Sequence, residues 1–135
     1  MVILVSAVES KGGSSEAGVR RKYPRSIRLL RHADFERVYQ QGRRHFSAHV
    51  TVFYFRRPDG GSARVGYTVS RALGGAVDRN RMKRRLREAV RLSWKEMQGV
   101  DIVINPKKSV LQAGFDDLKK EIDRALEVIQ RGQRQ

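Results

Sequence analysis

From Asp78 to Lys95 the chain carries eight basic residues, Arg79, Arg81, Lys83, Arg84, Arg85, Arg87, Arg91 and Lys95, against two acids, Asp78 and Glu88. The chemistry open to such a run is phosphate binding. A guanidinium fork meets two phosphate oxygens at once, and Asn80 adds a neutral donor and acceptor. At about 100° per residue, Asn80, Arg84, Arg87 and Arg91 fall on one side of a helix. Met82, Leu86, Ala89, Val90, Ser93, Trp94 and Met97 form the opposing apolar stripe. Like charges at these spacings repel by about 0.2–0.5 kcal/mol per pair, so a polyanion laid along the helix relieves them. A solvated amphipathic face is the plain alternative, and the one-signed charge counts against it. Five neutralised phosphates would make log K fall with log salt concentration at a slope of roughly 4 to 5.

A second set of candidates is aromatic: Phe35, Tyr39, Phe53 and Phe55. Phe35 and Tyr39 stand at helical spacing, where aromatics usually fill a core. Phe53 lies on the strand face opposite Val50 and Val52. It can stack an unpaired base, worth about 1–3 kcal/mol, or pack beneath the first helix. A cleft with a sheet floor and a helix wall accommodates both.

Other chemistry lacks its residues. His32, His45 and His49 do not make a metal-ligand spacing, and cysteine is absent, which removes disulfides and thiolate nucleophiles. No nucleophile elbow or phosphate-cradling glycine loop occurs. Asp116 and Asp117 fit the start of the last helix, where they favour its positive end.

These residues must be positioned by a chain of 135 residues, enough for one domain with a single core. Its net charge of +15 and pI near 11.2 point to nucleic acid first, then to an anionic membrane surface or an acidic protein. No apolar run approaches the roughly 20 residues that span a bilayer, and Met1–Val8 lacks the basic leader of a signal peptide. A cytoplasmic location suits such a binder. Residues 9–22 are rich in Gly and Ser, then basic, and read as disordered. The apolar octet before them is either a dispensable extension or a strand that finds a sheet edge. The expected organisation is a disordered extension over 1–25, an RNA-binding domain over 26–131 and a tail over 132–135.

Within the domain, Asp34–Gly42 predicts a short helix with Asp34 as N-cap and Gly42 as its stop. Phe46–Phe55 alternates as one strand, with Phe46, Ala48, Val50, Val52 and Tyr54 on one face. Pro58-Asp59-Gly60-Gly61 is a turn signal, and Arg64–Ser70 reads as the partner strand of a hairpin. The basic helix spans roughly 77–97 and ends at Gly99. Val100–Asn105 is a short strand stopped by Pro106. A last helix starts near Phe115 with Leu118, Ile122, Ala125, Leu126 and Ile129 on its core side. The expected fold is α+β, a single α-β-β-α-β-α sandwich with helices on one face of a small sheet.

The string Leu73–Arg87, with Arg79-Asn80-Arg81 at its centre, resembles the signature of the bacterial ribonuclease P protein subunit. Arg64–Ser70 is similar to that family's strand, and Asp34–Tyr39 with Gly42 is similar to its first helix. The resemblance covers roughly residues 26–130. It implies a ribosomal-protein-type α+β fold with a left-handed βαβ crossover, an exception to a strong rule. It also implies a protein that binds a large catalytic RNA and grips the 5′ leader of precursor tRNA, as a monomer in a one-to-one complex and without a membrane. The RNA then supplies the endonucleolytic chemistry and holds the Mg²⁺, so no residue of the chain is catalytic and none binds metal alone. By position, Arg79, Asn80, Arg81, Lys83, Arg84, Arg87 and Arg91 fall to RNA binding, and Phe35, Tyr39 and Phe53 to the leader cleft. Two positions depart from the family: Arg71-Ala72 replaces paired lysines, and Gly75 replaces an asparagine. The rivals are a structural ribosomal-type RNA binder with no processing role, a stand-alone metal-dependent nuclease, and a double-stranded DNA reader.

Overall fold

In a computed structural model of the chain, residues 2–6 and 32–132 are described. The segment read as disordered, 9–22, lies outside them, as does most of the proposed 1–25 extension. The elements run β1 (Val2–Ser6), α1 (His32–Gln41), β2 (Arg43–Phe46), β3 (Val50–Arg56), β4 (Arg64–Ser70), α2 (Ala76–Ser93), β5 (Val100–Pro106) and α3 (Phe115–Gly132). One mixed sheet of five strands has the order β1-β4-β5-β3-β2. The apolar octet therefore contributes an edge strand, pairing antiparallel with β4 from Val2 opposite Ser70 to Ser6 opposite Gly66.

The expected hairpin does not form. The turn after Pro58 is present, with Gly60 at φ 71° and the Asp59 carboxylate accepting from the Gly61 N–H at 3.1 Å. That N–H, before the neighbouring Arg57, holds the Asp59 pKa below its ordinary value. Yet β5 lies between the two strands, antiparallel to β3 and parallel to β4. A turn signal reports only that the chain reverses. What decides pairing is that β5 is buried along almost its whole length, as a central strand must be. The parallel β4–β5 pair needs a crossover, and α2 supplies it.

Burial on both faces of β5 also corrects the placing of the helices. Ile102 and Ile104 face the main core with Val52, Tyr67, Met82, Leu86, Leu118 and Ile122, so α2 and α3 cover that side. Val103 points the other way, into a second cluster with Phe35 and Val38, flanked by Phe53 and Phe55. Here α1 covers the opposite face, because an apolar strip on the far side of β5 would otherwise stand in water.

Local departures have physical causes. Helix α2 ends at Ser93, not near 97, because Trp94 turns extended (ψ 135°). Trp94 and Met97 still reach the core, so apolar spacing alone could not mark the end. The single strand expected over 46–55 is broken into β2 and β3 by a turn in which the Ser47 N–H bonds Val50 O at 3.0 Å. That turn moves Phe46 to the face of Thr51 and Phe53. Helix α1 already includes His32 and Ala33, which places Asp34 inside its first turn and not at the cap.

Gly42 joins α1 to β2 at close quarters. A Cβ there would lie 2.5 Å from both Val38 O and Tyr54 O, two backbone atoms that cannot swing aside. Gly42→Ala should therefore lower the unfolding free energy by about 1–3 kcal/mol, read as a lower urea midpoint at constant m-value.

Candidate nucleic-acid interface

Helix α2 begins at the carboxyl end of β4, after a 3-10 turn (Arg71–Leu73) whose start is capped by Ser70 Oγ accepting from the Ala72 N–H at 3.1 Å. Its apolar residues Met82, Leu86, Ala89, Val90 and Ser93 are buried as their spacing predicts. The basic residues then divide by what they touch. Arg79 donates to Gly74 O at 2.9 Å and braces the loop before the helix. Arg85 donates to Ala113 O ahead of α3. Arg91 is paired with Glu88, at 3.2 and 2.5 Å, and Lys95 with Asp123 at 2.8 Å.

Arg81, Lys83, Arg84 and Arg87 are different. Among the described residues no acid lies within ion-pair distance of any of them. Arg81, Arg84 and Asn80 are exposed, and Lys83 and Arg87 are half-buried. Partial burial, then the charges of Arg87 and Arg79, lower the Lys83 pKa below its ordinary value. The helix thus holds mutually repelling cations that no acid among the described residues compensates. An anion set against them would stabilise every one.

On the other sheet face, the last turns of α1 bring Tyr39 to the carboxyl ends of β4 and β5. The Tyr39 hydroxyl sits 2.7 Å from Thr68 Oγ1 and 3.1 Å from Asn105 Oδ1. Burial raises its pKa, with those two bonds opposing. The Tyr39 ring meets Phe53 edge-on, centroids 4.8 Å apart and planes at 85°. Tyr39 remains 37% exposed and Phe53 is half-buried, so Phe53 both packs under α1 and keeps surface toward solvent. Phe35 is only 2% exposed. It fills the small core against which Phe53 packs and offers no face to a ligand.

An ionic knot missed in the sequence fixes α1 to the sheet. Asp101 on β5 is fully buried and accepts from Arg57 Nη1 at 2.7 Å and from Arg64 Nε and Nη2 at 2.8 Å each. The bond to Asp101 holds the Arg64 pKa above its ordinary value. Arg64 also reaches Asp34 of α1 at 3.4 Å, and Asp34 takes Arg37 at 3.2 Å. A lone acid in an apolar strand was the available signal, but its partners are distant in sequence.

Arg44 and Phe46 on β2 were also missed. The Arg44 guanidinium carbon lies 5.7 Å from the Phe46 ring centroid and 5.9 Å from that of Phe53. The signal was the basic run Arg43-Arg44-His45 ending in an aromatic. Among the described residues no group of three His, Asp or Glu could hold a metal ion, and no helix is long and apolar enough to cross a membrane.

A model of the Ribonuclease P family matches residues 23–130. The ribonuclease P protein component of Symbiobacterium thermophilum is 38% identical over 104 residues, 76% of this chain and 90% of that protein. The corresponding component from Desulfovibrio desulfuricans is 43% identical over 95 residues, 69% of this chain and 73% of that one. The fold is similar to that of the RNase P protein of Staphylococcus aureus (TM-score 0.66, 24% identity, 77% of this chain and 95% of that one). It also resembles that of Thermotoga maritima (TM-score 0.63, 24% identity, 73% and 96%).

Proposed function

Because this chain belongs to the ribonuclease P protein family, we propose that it serves the ribonucleoprotein as a cationic clamp, binding the catalytic RNA and the leader of precursor tRNA while the RNA cuts. The observation that carries this reading is the set of cations Arg81, Lys83, Arg84 and Arg87, without an acidic partner among the described residues, on a helix that starts at the end of the sheet where Tyr39 bonds Thr68. Phosphate contacts fix position without reading sequence. Stacking on Tyr39 and Phe53 asks for an unpaired base of any identity. Together they suit a substrate whose leader varies in sequence.

Two effects follow. Holding the leader favours precursor over mature tRNA, since only the precursor carries one. Lending positive charge between two RNAs also screens their phosphates from each other, so the assembly needs less Mg²⁺. In this reading Mg²⁺ is held by the RNA and supplies the phosphodiester chemistry, and the chain's own residues bind and orient. Arg79 and Arg85 act indirectly, by holding α2 in place. Assembly in the cytoplasm as one protein to one RNA agrees with the reading.

The test is the salt dependence of assembly with the cognate catalytic RNA. Arg84→Ala with Arg87→Ala should weaken binding and reduce the slope of log K against log salt by about 1.4 to 1.8. An unaltered slope would show that these arginines meet no phosphate.

A further inference from the structure

Phe46 stands 66% exposed at the sheet edge, on the same face as Phe53 because Arg44 pairs with Phe53 and Phe46 with Thr51 across β2 and β3. An aromatic ring left this open contributes little to folding. Its neighbour Arg44 bridges it to the cleft, 5.7 Å from one ring and 5.9 Å from the other. Neither Arg43 nor Arg44 has an acidic partner among the described residues. Aromatic, guanidinium and aromatic therefore succeed one another from Phe53 outward. Each presents a flat, cation-rich or π surface of the kind on which unpaired bases stack.

We propose that Arg44 and Phe46 form an outer stacking step for single-stranded RNA, so that the gripping strip runs from Tyr39 and Phe53 across β2 to the sheet edge. This rests on the reading of the Tyr39–Phe53 cleft as the leader site and adds leader length as what the outer step measures. The positive charge of Arg43 and Arg44 complements a phosphate backbone leaving the cleft in that direction. A purely protective role, in which edge charges only discourage strand pairing, gives Phe46 nothing to do.

The experiment uses the complex reconstituted with its catalytic RNA and a set of precursor tRNAs whose leaders lengthen one nucleotide at a time. Phe46→Ala and Arg44→Ala should each bind the longest leaders at least about fivefold more weakly than the unaltered chain, yet match it on the shortest. Phe53→Ala should bind both kinds more weakly. Wild-type affinity of Phe46→Ala and Arg44→Ala for long leaders, with Phe53→Ala still impaired, overturns the outer step alone. Indifference of all three variants removes the cleft reading as well. An equal loss on mature tRNA would assign Phe46 to general RNA binding and also overturn the proposal. Thermal unfolding should be nearly unchanged in Phe46→Ala, since most of its ring lies in solvent.

Discussion

Asp101→Ala should cost about 3–5 kcal/mol of folding stability, the expected penalty for breaking a buried ion pair from one side. Asp101 is fully buried, and both its oxygens are engaged by arginines, three bonds of 2.7–2.8 Å in all. Removing the carboxylate leaves the largely buried Arg57 with only the exposed Asp59, at 3.1 Å, as an acidic partner, and takes from Arg64 its two shortest bonds. Arg64 would be left with the longer pairing to Asp34. Because that pairing ties α1 to β4, the damage should reach the Tyr39–Phe53 cleft as well as overall stability. Urea titration measures the first effect and leader affinity of the surviving folded fraction the second. Asp101→Asn keeps the shape without the charge and should recover only part of the loss. A variant as stable as the parent would mean the arginines find other partners.

Phe53→Ala should weaken binding of precursor tRNA by about 1–3 kcal/mol, roughly 5- to 150-fold, and leave mature tRNA unchanged. The ring does two jobs: it meets Tyr39 edge-on and it flanks the small core under α1. Phe53→Leu separates them, since leucine restores apolar volume without a π face. Stability should return in Phe53→Leu while leader affinity stays low. Equal losses for precursor and mature tRNA would argue against a leader cleft.

How much of this was legible in the sequence depended on distance along the chain. The buried stripes of α2 and α3 followed from spacing, since Leu86 or Ile122 is placed by its own helix. The cations of α2 were visible for the same reason. Which of them are free was not: Arg79 and Arg85 are spent on carbonyls of Gly74 and Ala113, and Arg85 finds its partner far along the chain. Strand neighbours were hidden too, because the segment that separates β3 from β4 arrives only after α2. A three-residue turn at Ser47–His49 reversed the face of Phe46, and no local rule of alternation survives such a break. Nothing near position 101 marks its acid as paired, because Arg57 and Arg64 converge on it from far along the chain. Family resemblance supplied the expected roles of Arg79 and Phe35; the donation of Arg79 to Gly74 O and the burial of Phe35 depend on neighbours that resemblance does not show.

The central claim is that the chain lends grip while RNA performs the cleavage. Single-turnover processing of precursor tRNA by the cognate catalytic RNA, at low Mg²⁺ with and without the chain, tests it most directly. Cleavage should be markedly faster with the chain present, the advantage should shrink as Mg²⁺ rises, and the chain alone should cut nothing. Processing unchanged by the chain, or cleavage by the chain without RNA, would contradict the account.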